Sequence, residues 1–306
     1  MATNNFTTTT NAVDLPRIWA PELNTAIQFD IVLAALFDTR YEDTMKVGNI
    51  LQLPSRRNLT AATKSAATDA ALESNATEVA QNFTISLQQV AAFAIDDIVE
   101  IQSKYDLRST YTESAAYALA RAMDVSCASS TTGVGIGAAP QGSGATVTTA
   151  VGTLGVELTD DDLINAWKQL ANAACPISDR YFPVAPATYA GFLKIDKFVN
   201  QLYNGDDTGM AVHQAKVGNL YNAEVYVSQL TVGTAPSSTT SMFHKSHWLL
   251  IRQRTPTVHM EYRAVSVGWA VVIDQIYLTV ERLEADEAAA AVTNSTNWSV
   301  SMKSVK

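Results

Sequence analysis

YDLRSTYTESAAYALARAMDV, residues 105–125, reads as one long helix around which the rest of the chain is arranged. Thr110 and Glu113 stand three apart, the spacing of a capping box in which each side chain satisfies a backbone N–H at a helix start. Five alanines fall between Ala115 and Ala122 with no glycine or proline, so intrinsic helix propensity is high. Leu107, Tyr111, Ser114, Ala118, Ala122 and Val125 recur at helical spacing and are expected to form the face of this helix that packs against a sheet. That face is bulky at its start and small-sided later, which suits close approach. A polar excursion lies upstream of the helix and a glycine-rich break lies downstream.

The 306 residues are 47% hydrophobic and 17% charged, ordinary for a folded chain long enough for one large or two smaller domains. Thirty acidic residues against 21 basic ones give a net charge of −9, which opposes an extended nucleic-acid-gripping surface. No apolar run is long enough to span a bilayer, so no membrane partner is expected. The threonine-rich start, MATNNFTTTTNAVD, has neither a basic n-region nor an apolar h-region and does not read as a signal peptide. Cys127 and Cys175 lack ligand-like spacing and read as buried free thiols of a cytosolic protein. Without a secretory signal, the sequons at Asn5, Asn58, Asn75, Asn82, Asn294 and Asn297 follow from composition and carry no glycan.

Taken in order, residues 1–15 form a tail, and Glu22 to Phe37 read as an amphipathic helix with Leu23, Ile27, Ile31 and Ala34 along one stripe. That stripe buries itself either on its own core or on a neighbour. Met45 to Leu53 is a strand pattern. From Pro54 to Asn82 only Leu59, Leu72 and Val79 are large and apolar, so the stretch cannot offset its own ordering entropy. Phe83, Ile85 and Leu87 resume a strand. A long polar excursion between two strands describes a projecting arm, and Ala94 to Lys104 forms a short helix beyond it. After the spine helix, Leu158 to Ala174 is a helix capped by Thr159, Arg180 to Ala185 a buried strand, and Pro186 to about Tyr203 a further helix. Leu220 to Leu230 is a strand and 233–241 a linker. Trp248 to Arg254, Val258 to Arg263 and Val265 to Leu283 are β-rich, and the remainder reads as an acidic piece and a polar tail.

The catalytic inventory is thin. Gly133, Gly135 and Gly137 follow a helix rather than a strand, and no Lys-Ser/Thr succeeds them, so they fail the context of a nucleotide loop. His244 and His247 lack a third ligand for zinc. Asp160, Asp161 and Asp162 complement a helix dipole better than they would hold a metal. No catalytic residue, cofactor or metal is assigned.

The order of elements, with four short motifs, resembles the major capsid proteins of tailed bacteriophages, the Hong Kong 97-type fold, in its short-tailed podophage branch. Asp97, Tyr105 to Ser109, Tyr111-Thr112 and Ala120 to Asp124 are similar to that family's entry into its spine helix. Pro176, Arg180, Phe182 to Val184 and Pro186 resemble its axial-domain segment. Val217 to Leu220 with Val225 to Ser228 resembles its next strand, and Gln275 to Ala289 its closing strand, with Leu283 where the family has proline. The resemblance spans roughly residues 40–290 and implies an α+β capsid fold. It implies an N-terminal arm (1–44), an E-loop (45–95), a peripheral domain with the spine helix (96–155), an axial domain (156–245), and peripheral return strands with a C-terminal tail (246–306). It further implies homo-oligomeric hexamers and pentamers closing an icosahedral head around double-stranded DNA that is contacted non-specifically. Scaffolding, portal and decoration proteins are the implied partners, the virion capsid the location, and the host cytoplasm the place of assembly. Arg56, Arg57, Lys64, Asp69, Glu73 and Glu78, the charges of the polar arm, are the expected inter-subunit contacts. No motif for covalent cross-linking is matched. Two competing readings are an encapsulin-like compartment shell of the same fold and a nucleotide-binding α/β enzyme.

Overall fold

The computed structural model describes residues 28, 31–42, 45–55, 61, 63–66, 69, 79–85, 87–103, 105–129, 136–137, 150–199, 218–282 and 298–306. Its helices are α1 (Leu33–Leu36), α2 (Asp97–Gln102), α3 (Leu107–Ala128), α4 (Asp160–Asn172), α5 (Pro186–Phe192) and α6 (Asp196–Val199). The strands are β1 (Ile50–Ser55), β2 (Val79–Thr84), β3 (Leu87–Asp96), β4 (Arg180–Val184), β5 (Asn219–Leu220), β6 (Ala223–Val227), β7 (Ser237–His244), β8 (Trp248–Arg263), β9 (Gly268–Glu281) and β10 (Ser299–Val305). They form a two-stranded ribbon β1-β2, a sheet in the order β3-β9-β8, and a sheet in the order β10-β7-β4-β6-β5. Among the described strands only β4 and β6 pair in parallel, with isolated parallel bridges at Asp38–Leu249 and Val151–Met302.

The expected spine is α3, and its fit to β9 organises the first sheet. A strand advances about 6.8 Å per two residues and a helix about 5.4 Å per turn, so alternate β9 residues can meet successive turns of α3. Arg108 sits over the Trp269 ring at 5.2 Å. Val271 and Ile273 pack with Ala115 and Leu119. Gln275 donates to the Leu119 carbonyl at 2.9 Å and Tyr277 to the Ala122 carbonyl at 3.2 Å. The Ser126 and Thr279 hydroxyls lie 3.1 Å apart.

The helix therefore faces the sheet through Ala115 and Leu119, about a quarter turn from the face expected from sequence. Ser114, Ala118 and Val125 are exposed, Leu107 is half-buried, and Tyr111 reaches the sheet only by lying 5.8 Å from Phe93. An alanine- and serine-rich helix has almost no hydrophobic asymmetry, so the polar hooks on β9 fix its rotation instead. The helix starts at Leu107, inside the expected 105–125, but its cap lies ahead of the expected Thr110. Asp106 caps it by accepting from the Ser109 amide, in place of Thr110.

At its far end α3 is enclosed. Buried Asp124 accepts from the amides of Val32, Leu33 and Ala34 at 3.1, 3.1 and 2.6 Å and so caps α1 from outside. Burial pushes the Asp124 carboxyl above its ordinary pKa, and the three amides oppose that rise. Leu33, Leu36 and Phe37 then pack with Cys127, Phe243, Trp248 and Tyr277, which joins the chain's beginning to both sheets. The helix expected over 22–37 is thus four residues long among the described ones, since residues 28, 31 and 32 are not helical.

On the opposite face of β8 and β9, Phe83 and Ile85 from the ribbon cover Leu249, Ile251 and Val280. The second sheet packs α4 and α5 through Leu163, Leu170, Phe182, Phe192 and Met242. Thr159 and Asp162 form the reciprocal capping box of α4. Several expected boundaries are corrected. Residues 94–96 belong to β3, the helix after Pro186 breaks after Phe192, and β8 runs from Trp248 to Arg263 with irregular pairing near Arg254. The expected linker 233–241 holds most of β7, and the polar tail holds β10. That last strand pairs with β7, so residues 299–305 complete the five-stranded sheet and not the three-stranded one.

Candidate subunit interface

One end of the three-stranded sheet combines a braced backbone with exposed apolar side chains. The hairpin joining β8 to β9 turns through Ala264-Val265-Ser266-Val267, where glycine, asparagine or aspartate is usual. Val267 has φ +47°, a left-handed conformation that crowds a β-branched side chain. Its carbonyl accepts the Asp97 amide at 3.1 Å, which ties the turn to the first residue of α2. Gly268 follows, and a Cβ there would lie 2.6 Å from the Ile95 carbonyl oxygen, so only glycine lets β3 close on this turn.

Polar and aromatic contacts hold the three pieces together. Tyr262 donates to Asp97 at 2.9 Å and packs edge-on against Trp269. That bond to the carboxylate raises the phenol's pKa. Arg108, already over Trp269, makes two 2.8 Å bonds to Glu100 of α2. Each such contact is weak at an exposed surface, but together they tie α2, the turn and the start of α3 to one another. That unit presents Ile98 (62% exposed), Ile101 (83%) and Val265 (fully exposed) to solvent. Scattered apolar residues on a surface are ordinary, whereas a rigid tip carrying several is the form of a docking surface.

Along β8, Val258 and Met260 are also exposed, and Met260 lies beside α3. A groove runs there, lined by Asp106, Ser109, Thr112, Glu113, Ala116 and Met260. Of the contacts expected from sequence, Lys64 and Asp69 are exposed. Arg56, Arg57, Glu73 and Glu78 lie outside the described residues. The tip was not foreseen, although an apolar turn between two strand patterns was its visible signal.

Groups considered for chemistry have structural partners. Ile136 and Gly137, the described part of the glycine-rich break, donate their amides to the carbonyls of Cys127 and Ala128 and close the end of α3. Asp160 is held by Lys197 and Tyr221, which keep its carboxyl below the ordinary range. No group of three or more His, Cys, Asp or Glu is placed to hold a metal among the described residues. No helix among them is long and apolar enough to cross a membrane.

No family model and no curated protein matches the sequence. Solved structures do match, over nearly the whole chain. The capsid structure of cyanophage P-SCSP1u aligns with TM-score 0.74 at 18% identity, covering 99% of this chain and 96% of that one. The head structure of Helicobacter pylori bacteriophage KHP40 aligns with TM-score 0.72 at 12% identity, covering 99% of each. A chain of Mycobacterium phage Che8 aligns with TM-score 0.70 at 20% identity, covering 98% of each. The fold is therefore α+β of the phage-capsid, Hong Kong 97-like kind.

Proposed function

We propose that this chain is a phage major capsid protein, a structural and non-enzymatic subunit that assembles into hexamers and pentamers and closes an icosahedral head around double-stranded DNA. The observation that carries the reading is the likeness to capsid and head structures along nearly the entire chain. The braced apolar tip supports it, because Ile98, Ile101 and Val265 gain burial only from another molecule. In this reading 1–44 is the N-terminal arm, 45–95 the E-loop, 96–155 and 246–282 the peripheral domain, and 156–245 the axial domain, completed by 299–305. The charges of the E-loop, Arg56, Arg57, Lys64, Asp69, Glu73 and Glu78, meet neighbouring subunits. Scaffolding, portal and decoration proteins are the further partners, and assembly takes place in the host cytoplasm.

The test is electron microscopy and sedimentation of the expressed full chain, with a nucleic-acid assay on native particles. Closed particles of uniform size are expected. A discrete small oligomer that never closes would sink the reading, and native particles free of nucleic acid would favour a compartment shell.

A further inference from the structure

The three-stranded sheet has two outer strands among the described residues, because β9 lies between β3 and β8. An unpaired edge presents N–H and C=O groups that another strand can meet, and proteins ordinarily blunt it with charge, proline or a bulge. The β8 edge is blunted in all three ways. Arg252, Arg254 and Arg263 lie along it, Pro256 removes a donor, and its pairing with β9 shifts register on either side of Arg254. Asp38 also covers its start, giving its amide to the Trp248 carbonyl and accepting the Leu250 amide on its own carbonyl.

The β3 edge has none of these devices. Leu87–Asp96 is ten residues long, and its register with β9 is unbroken from Leu87–Tyr277 to Asp96–Gly268. It holds no proline or glycine, and Asp96 at its end is its only charge. In an antiparallel ladder alternate residues turn both backbone groups away from the partner strand. The Asp97 amide donates to the Val267 carbonyl, and these two residues continue the β3–β9 register. The odd-numbered residues therefore bond to β9, and Gln88, Val90, Ala92 and Ala94 turn their N–H and C=O to the open side. Ala91 and Phe93 pack under α3, so Val90, Ala92 and Ala94 lie on the other face of the sheet, where all three are exposed.

The composition of this edge selects what it accepts. On a second copy, β8 is obstructed by Pro256 and its register shifts, β1 carries Pro54, and β2 offers six residues against ten. β3 of a second copy meets no such obstacle. Antiparallel to itself, it sets uncharged residues opposite one another and keeps the two Asp96 carboxylates at opposite ends. β3 also runs directly into α2, so its edge is continuous with the exposed Ile98 and Ile101 of the apolar tip.

We propose that β3 joins two copies of this chain, pairing antiparallel with β3 of the second copy so that their three-stranded sheets run into one. Such a contact is two-fold and cannot run around a hexamer or pentamer, so in a shell it ties neighbouring capsomers together. The inference deepens the capsid reading and rests on it only in that copies must associate.

Amide hydrogen exchange on the purified full chain, dilute and associated, tests it, with sedimentation recording the association. The amides of Val90, Ala92 and Ala94 should exchange at least tenfold more slowly on association, whereas those of Ala91 and Phe93, bonded to β9, should be slow in both states. Ala92→Pro removes only an outward N–H, and Ala92→Lys places a charge on the edge. Each should keep a near wild-type urea midpoint and cut the associated fraction at least fivefold. Ala171→Lys, an exposed alanine of α4, is the control and should associate normally. If Ala92→Pro fails to fold, Ala92→Lys and the exchange pattern decide. Fast exchange at the three amides in the associated protein overturns the pairing, as does association of Ala92→Lys equal to that of Ala171→Lys. An alternating gain of protection on β2 or β8 that matches the one on β3 also overturns it. Small oligomers with β3 protected support the pairing and count against the shell. Closed particles with β3 still exchanging do the reverse, and a chain that stays monomeric sinks both.

Discussion

Gln275 Nε2 on β9 donates to the carbonyl oxygen of Leu119 on α3 at 2.9 Å, a bond buried between helix and sheet. A helix-interior carbonyl already accepts one amide, so this second bond fixes which side of α3 looks inward. The facing makes a sharp comparison possible. Ala115→Trp should destabilise the subunit by about 1–3 kcal/mol through overpacking against Val271 and Ile273. Ala118→Trp, on the exposed side, should leave folding nearly unchanged. Urea unfolding of the two variants checks this, and equal losses would mean the helix is rotated from the position described.

Asp124 should matter more to stability than its place inside a helix suggests. Asp124→Ala removes the acceptor for three amides of the segment leading into α1. A loss of about 3 kcal/mol is expected, because buried donors are left unmade. Asp124→Asn keeps one acceptor oxygen and should lose less. Amide hydrogen exchange at Leu33 and Ala34 should accelerate in both. Unchanged protection there would show that the cap does not hold α1.

Burial lowers the pKa of His244, which sets a direction for pH dependence. In the folded chain the ring stays neutral where the unfolded chain, at about 6.5, takes up a proton. The unfolded state then binds more protons, so stability falls as pH drops through that value and on toward the lower folded pKa. His244→Gln should flatten the part of the slope between pH 7.5 and 5.5 that belongs to this ring. The check is the difference in urea midpoint between the two proteins at each pH. A difference that stays constant with pH would count against it.

Ile101→Asp with Val265→Asp alters only exposed side chains at the braced tip. Subunit stability should change by less than about 0.5 kcal/mol. Particle yield should fall sharply, as seen by sedimentation. Normal particles from this variant would remove the tip from the list of contacts between subunits.

Val267→Gly addresses the strained turn. A left-handed conformation costs a non-glycine residue about 1–2 kcal/mol, and glycine's own entropy returns part of that. A net gain of about 1 kcal/mol in subunit stability is expected, together with weaker assembly from the lost side chain. A stability loss would show that Val267 packs more than it strains.

The sequence was legible where side chains carry strong, unequal signals. The Thr159 to Asp162 capping box, the proline at the start of α5 and the bulky β4 run Arg180–Val184 all lie where their chemistry puts them. It was illegible where small residues do the packing. The rotation of α3 depends on Gln275, Tyr277 and Thr279, which sit more than 150 positions away. In β7 and β10, Ser238, Thr240, Ser241, Ser299, Ser301 and Ser304 are buried, so an inner strand and the edge strand beside it resemble linker and tail in composition. Val300 and Met302 already alternated with those serines, a period-two signal that the polar composition masked. For the candidate interface, the sequence pointed to the charges of the polar stretch 54–82, whereas the tip required knowing that the Val267 carbonyl accepts the Asp97 amide.

The placement of β10 has a consequence for how the subunit is made. Seven residues near position 300 supply the partner for β7, with Val300 and Met302 in the same core as α4 and α5. A nascent chain that has emerged only as far as β9 can complete the sheet under its spine helix, yet its second sheet still lacks an outer strand. A chain cut before β10 therefore leaves β7 as an open sheet edge, with the core of α4 and α5 short of Val300 and Met302.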